Sequence, residues 1–312
     1  MHALRIYWTH LVRPDHAMLR PVSFLPFLAL AALALTLSAC SPLKLVNAVS
    51  PDGDARTTSA IHYGKGERNR LDIYQPATHA GAAPVIVFFY GGNWVSGKRE
   101  DYAFVGQALA KRGFVVVVPD YRLYPEARYP DFLDDAARAV AWTEREIGNY
   151  GGDPKRVFVM GHSAGAYNAA MLALDARWLG KQGVKPDSLR GWIGLAGPYD
   201  FLPVQNKTTR PVFNYPDTPP DSQPLRHVSA GAPPALLIAA YEDNTVNPVR
   251  NTGALATRLR EKHVPVRELY YDGVNHATLV ASLSRSLHTM APTLDAVEDF
   301  VRSDGGRRPV SR

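Results

Sequence analysis

Cysteine is almost missing. Cys40 is the only one in 312 residues, so no thiolate cluster with metal-ligand spacing can form. The ten histidines contain no His-Glu-x-x-His, and Lys and Arg form no runs, so the formal charge of +6 is scattered. These absences count against a metal centre and against a nucleic-acid surface. The chain also lacks an apolar stretch long enough to span a bilayer. The mostly apolar run from Phe24 to Leu37 is shorter than the roughly 20 residues required, and it carries Pro26. What remains, 46% apolar and 21% charged, is a globular composition with length enough for one large α/β domain.

The apolar run has a different reading. Arg20 precedes it and Leu37-Ser38-Ala39-Cys40 ends it, which gives a charged start, a hydrophobic centre and small residues at a cleavage point. Leu-Ser-Ala-Cys resembles the lipobox of bacterial lipoproteins, in which the cysteine becomes the lipidated first residue. The rival reading of Cys40 is a free buried thiol. The expectation is a lipoprotein signal peptide over 1–39 and a lipid anchor on Cys40. Ser41 at the next position is similar to the pattern that directs such proteins to the outer membrane. That implies a bacterial cell-envelope protein facing the periplasm. Residues 1–17 make a poor leader, so translation is expected to begin at Met18. Residues 40–55 read as a polar tether, 56–302 as the catalytic domain and 303–312 as a disordered tail.

Within the domain, the stretch that organises the rest is Val157-Phe158-Val159-Met160-Gly161-His162-Ser163-Ala164-Gly165-Ala166. An apolar strand runs into Gly-x-Ser-x-Gly and then into Ala-rich residues suited to a helix. A serine on so tight a strand-to-helix turn is lifted above the sheet edge, and small residues are required two before and two after it. Val85–Tyr90, Phe114–Val118, Trp192–Ala196, Ala235–Ala240 and Val266–Tyr271 read as further strands. Helical segments fall between them, at 101–112, 131–149, 251–262, 279–287 and 292–302. Alternation of this kind predicts a mainly parallel central sheet flanked by helices. Residues 197–233 lack periodicity and read as a short cap or lid.

A serine hydroxyl needs a positioned base, and the base needs a carboxylate to orient it. The expected order is Ser163, then Asp243 after the 235–240 strand, then His276 after the 266–271 strand. Glu242 is the rival acid, and His263 and His227 are the rival bases. The oxyanion of an acyl-transfer intermediate is expected to meet the N–H groups of Ala164, Gly92 and Asn93. Tyr90, Trp94, Tyr167 and Tyr199 are candidate pocket walls.

With those residues assembled, the chain resembles the α/β-hydrolases of the esterase/lipase type. It is most similar to the carboxylesterase-like, feruloyl-esterase-like and kynurenine-formamidase-like group. The likeness runs over about residues 60–302. It rests on Leu71-Asp72-Ile73-Tyr74-x-Pro76, on Tyr90-Gly91-Gly92-Asn93-Trp94 with Gly97-Lys98, and on Asp120-Tyr121-Arg122-Leu123 with Pro125-Glu126. Tyr150-Gly151-Gly152-Asp153-Pro154 and the serine turn complete it. Tyr90 stands where that group usually has histidine. The resemblance implies an α/β-hydrolase fold and hydrolysis of a small-molecule carboxylic ester, with neither metal nor organic cofactor. Two alternatives stay open: an aryl formamidase or amidase using the same three residues, and a non-catalytic envelope binding module.

Overall fold

The computed structural model describes residues 46–47, 55–78 and 81–308. The signal peptide read over 1–39, the lipidation site at Cys40 and most of the expected tether lie outside the described residues. The largely solvent-facing β1 (Arg56–His62) leads into the buried strands β2 (Arg70–Gln75) and β3 (Ala83–Phe89). β4 (Val115–Pro119), β5 (Gly152–His162), β6 (Leu189–Leu195) and β7 (Ala235–Ala240) follow, and β8 (Val266–Tyr271) closes the series. β3, β4 and β7 are continuous apolar runs, and β5 and β6 become so from Val157 and Gly191 toward the serine turn, as expected of parallel strands covered on both faces. β8 is only half-buried, in keeping with its place at the sheet edge.

The eight strands form one sheet in the order β1-β2-β4-β3-β5-β6-β7-β8. β1 and β2 run antiparallel, and every pair from β4 to β8 is parallel. The chain leaves β3 toward β4 on one side and leaves β5 toward β6 on the other. That reversal opens a crevice at the carboxyl ends of β3 and β5, where ligands bind in open α/β sheets. In register, Phe89 lies opposite Gly161, and His162 opposite Leu195. The loop after β3 and the turn after β5 therefore emerge side by side.

The helices are α1 (Ala103–Lys111), α2 (Asp131–Glu146), α3 (Ala164–Leu174), α4 (Ala176–Gly180), α5 (Ala254–Glu261), α6 (His276–Ala281) and α7 (Thr293–Arg302). Every residue of α3 is buried, which its small side chains permit. Close approach is obligatory at its start. A Cβ on Gly165 would lie 2.0 Å from the Phe89 carbonyl oxygen, and one on Gly161 would lie 2.1 Å from the Gly165 carbonyl oxygen. Both positions must be glycine for β5, β3 and α3 to meet here.

The segment expected as a cap contains two short 3-10 turns, Pro220–Ser222 and Pro224–His227. It is pinned to the body. The Tyr167 hydroxyl donates to the Ser222 carbonyl at 2.7 Å, and Phe213 is fully buried among Trp94, Tyr129, Phe132, Tyr167 and Phe201. Burial of one phenylalanine contributes about 1.5–3 kcal/mol, so this ring alone is a substantial anchor.

Two boundaries differ from the sequence reading. The tail expected from residue 303 is packed at its beginning: Ser303 and Asp304 are buried, and Asp304 pairs with Arg190, whose Nε donates at 2.9 Å. Ser and Asp read as loop formers, and the partner that holds them lies more than a hundred residues upstream. Inside the expected tether, Asn47 accepts the Phe104 N–H at 2.9 Å and donates to the Glu100 carbonyl at 2.6 Å. It thereby satisfies a first-turn amide of α1.

Candidate active site

The serine turn forces Ser163 into φ 55° and ψ −122°. A β-substituted residue pays for that conformation with local strain, which persists only where the surroundings impose it. Here the Ser163 N–H donates to the Leu195 carbonyl at 2.9 Å and so ties the turn to β6. The hydroxyl stands 2.9 Å from His276 Nε2, and His276 Nδ1 stands 2.7 Å from Asp243 Oδ2. An ionised carboxylate only accepts hydrogen bonds. Nδ1 must therefore carry the proton, and Nε2 faces the serine as a free acceptor.

Asp243 is placed by its own backbone. Its Oδ1 accepts the N–H groups of Thr245 and Val246, each at 2.8 Å, and its side chain is fully buried. Burial raises the Asp243 carboxyl. The His276 N–H, the charge that ring carries when protonated and the two backbone amides outweigh it and hold the group below the usual carboxylate range. The anion is thus kept where a developing imidazolium needs it. Glu242 is exposed to solvent. The rival bases stand elsewhere: His263 is exposed past the end of α5, and His227 bonds the Asp221 carbonyl at 2.6 Å in the cap.

His276 is not on a free loop, as its neighbours suggested, but is the first residue of α6. Asn275 caps that helix, accepting from Ala277 and Thr278, while the Thr278 hydroxyl accepts the Asn275 N–H at 2.7 Å. This reciprocal capping box fixes the backbone that carries the imidazole.

The loop after β3 closes the other side. Gly92 has φ +127°, and a Cβ there would lie 2.2 Å from the Ser96 carbonyl oxygen, so only glycine fits. Asn93 and Trp94 follow at φ 53° and 59°. The Gly92 and Asn93 amides donate to no described residue, and the Ala164 amide opens α3, where helical N–H groups lack a carbonyl partner. Asn93 and Ala164 line the same cavity as Ser163, and Gly92 lies one residue back. Three free N–H groups around one hydroxyl can hold an oxyanion.

The cavity has a volume of about 200 Å³. Trp94, Phe201 and Val204 form its apolar side, and Asn206, Asn247 and Arg250 its polar side. Of the four aromatic residues expected to wall it, Trp94 does so and the other three do not. Tyr167 is spent on the cap, and Tyr199 is buried against Trp192. Tyr90 points the opposite way, because its hydroxyl donates to Asp120 at 2.8 Å and accepts from Arg68 at 2.8 Å. Arg68 also reaches the Gly97 carbonyl, and the Tyr121 hydroxyl donates to the Tyr90 carbonyl at 2.7 Å. Burial first, and then the Asp120 carboxylate, push the Tyr90 phenol far above its ordinary value, so it stays a neutral donor.

Tyr90 thus props the loop from behind. Tyr90→Phe is expected to change kcat/KM by less than about threefold while costing roughly 1–3 kcal/mol of stability, the usual cost of unmaking a buried bond to a charged group. Steady-state kinetics with thermal denaturation checks this. A loss near 10²-fold in a folded variant would instead make the phenol an oxyanion donor.

Several contributors were not singled out from sequence. Phe201, Asn206, Asn247 and Arg250 lie far apart in the chain from the serine turn. Asn168 accepts the Trp94 indole N–H at 3.0 Å and fixes that ring; a lone amide in an Ala-rich apolar helix was its only signal. His162 is buried beside Ser163, and its Nε2 lies 2.8 Å from the His276 carbonyl oxygen. Burial first, and then the neighbouring His276, lower the His162 pKa to about 3. An unfolded imidazole titrates near 6.5, so below that pH the unfolded chain takes up a proton that folded His162 refuses. Folded stability is expected to fall from about pH 6.5 toward 3, by roughly 1.4 kcal/mol per unit from this group. Urea unfolding of the wild type and His162→Gln between about pH 7 and 4.5 isolates the effect. Parallel losses in the two proteins would contradict it.

The chain is similar to known esterases in sequence and in fold. Residues 71–259 match the BD-FAE family model. A probable carboxylic ester hydrolase of Mycobacterium tuberculosis, LipM, is 30% identical over 83% of this chain and 62% of its own length. A probable isoprenylcysteine alpha-carbonyl methylesterase of Arabidopsis thaliana, ICMEL1, is 29% identical over 70% of this chain and 51% of its own length. The chain therefore spans about half the length of such curated relatives. A Pyrobaculum calidifontis esterase structure superposes with a TM-score of 0.67 at 22% identity, covering 89% of this chain and 98% of that one. The fold is that of the α/β-hydrolases, and the chain belongs to the BD-FAE family.

Proposed function

We propose that this chain is a serine hydrolase that cleaves carboxylic esters of small to medium groups through an acyl-enzyme on Ser163. The observation that carries the reading is the unbroken hydrogen-bonded series Ser163–His276–Asp243 opening into a cavity beside unused backbone amides. In the first half-reaction Ser163 Oγ bonds to the ester carbonyl carbon as its proton passes to His276 Nε2. The carbonyl electron pair moves onto oxygen, where the Ala164, Gly92 and Asn93 N–H groups hold it. Collapse of this intermediate breaks the bond to the alkoxy oxygen, which His276 protonates as it leaves. In the second half, water gives its proton to His276 and its oxygen to the acyl carbon, and Ser163 is restored. A cavity of about 200 Å³ suits short acyl groups.

A panel of chromogenic esters of graded acyl length, with an N-formyl anilide alongside, tests the proposal. Turnover should be highest for short acyl esters. A preference for the anilide would make the chain a formamidase. No turnover, together with no labelling by a fluorophosphonate probe, would leave a binding module.

For the amino-terminal region, we propose a lipid anchor on Cys40 that holds the domain at the bacterial outer membrane facing the periplasm. The support is in the sequence: the charged start, the apolar run to Leu37 and Leu-Ser-Ala-Cys. Cys40→Ser is expected to leave an unprocessed precursor or mislocalised protein. A Cys40→Ser protein that still reaches membranes in mature lipidated form would refute the anchor.

A further inference from the structure

His162 occupies the variable position of the serine turn and so is one peptide bond from Ser163. Its ring turns away from solvent and toward the base. Nε2 meets the His276 carbonyl oxygen at 2.8 Å across 114 residues of sequence, and the two ring centroids are 4.9 Å apart. A carbonyl oxygen only accepts, so Nε2 carries the proton and Nδ1 is a bare nitrogen. That nitrogen is buried and has no hydrogen-bond partner among the described residues. It faces the oxyanion loop, where a Cβ on Gly91 would come within 3.2 Å of it. One side chain thus touches the three segments that must be held in mutual register: the serine turn, the base and the loop of free amides.

We propose that His162 is a positioning residue that fastens the backbone of His276 to the serine turn and sets the distance from Nε2 of the base to Ser163 Oγ. The inference rests on the reading of Ser163 and His276 as nucleophile and base. Beyond the helix's own backbone bonds and the side-chain bonds to Asp243 and Ser163, two contacts hold the His276 backbone. The Asn275 capping box fixes its amide side, and His162 fixes its carbonyl side. With only the first, the first turn of a six-residue helix can rock about its cap and carry the imidazole with it. A displacement of about 1 Å from the reacting geometry costs on the order of 10²-fold in rate. The role calls for a planar or amide donor that is uncharged when the base becomes an imidazolium. A second cation 4.9 Å from that ring would oppose the charge that forms there.

His162→Leu keeps apolar volume and removes the donor, whereas His162→Gln keeps an N–H that can reach the same carbonyl. His162→Leu is expected to lower kcat about 10- to 100-fold with KM within about twofold, because substrate contacts are untouched. His162→Gln should stay within about threefold of wild type. The far-downfield proton resonance of the Asp243–His276 bond should persist in wild type and His162→Gln and broaden in His162→Leu. Should His162→Leu fail to fold by circular dichroism, His162→Met carries the same comparison. Wild-type kcat in the folded donor-less variant, or equal losses in the Gln and donor-less variants with an unchanged resonance, would overturn the proposal. Ser163→Ala and His276→Ala are measured in parallel. If either turns over normally, the underlying assignment fails and this inference with it. If both are inactive and the donor-less variant is not impaired, only the positioning role fails.

Discussion

Ser163→Ala is expected to reduce kcat by on the order of 10⁴- to 10⁶-fold without changing the fold. The hydroxyl is the only atom removed. Alanine fits the space, and the backbone bond from residue 163 to Leu195 does not involve the side chain. The strained φ of 55° and ψ of −122° remains the same burden for either residue. What is lost is the one oxygen that stands 2.9 Å from the free Nε2 of His276. A residual rate over water should survive, since the Ala164, Gly92 and Asn93 amides would still polarise a bound carbonyl. Steady-state turnover of a chromogenic ester, paired with fluorophosphonate labelling, decides the matter. Labelling that persists in Ser163→Ala would move the nucleophile to another residue.

Asp243→Asn is expected to cost on the order of 10²- to 10⁴-fold in kcat. The reason is tautomeric. An amide that keeps its two backbone acceptor bonds to Thr245 and Val246 must turn its NH₂ toward His276. Nδ1 then becomes an acceptor, the ring proton moves to Nε2, and the nitrogen facing Ser163 can no longer take a proton. The anion that offsets an imidazolium is lost as well. Glu242→Gln, one residue earlier, should be nearly silent because that side chain is exposed. Kinetics on the two variants, each checked for folding, tests the pair. Near-normal turnover in Asp243→Asn with a collapse in Glu242→Gln would exchange the two roles.

How far these residues could be found in advance depended on the kind of signal each leaves. The buried strands declared themselves because a strand covered on both faces must be apolar throughout, whatever its partners. The turn at Ser163 left a local demand for small residues, visible as Gly161 and Gly165 before any neighbour was known. Asp243 and His276 could be sought just past the ends of late strands, since loops at that edge of a parallel sheet converge. In the structure those three side chains form one hydrogen-bonded series. By contrast, α6 was expected from Leu279 onward but begins at His276. Its start depends on a cap by Asn275, a residue that serves equally well in a turn.

The amino-acid sequence by itself determined the alternation of elements, the glycines that let strand and helix touch, and the chain order of Ser163, Asp243 and His276. Each follows from periodicity or from steric limits felt within a few residues. Only the tertiary structure decided where side chains of mixed character point. Tyr90, Tyr167 and Tyr199 carry an apolar ring and a polar tip, and such residues satisfy a pocket wall or a core equally well. Asp120 and Arg68 draw Tyr90 behind the loop, Ser222 claims Tyr167, and Trp192 packs Tyr199 away, all from distant parts of the chain. The same holds for His162, whose partner lies 114 residues downstream. It holds too for the cavity, whose walls join Trp94, Phe201 and Arg250 from three separate segments. A local sequence states what a residue can bond to. Which of those bonds forms is set by the groups that folding brings within about 3 Å of it.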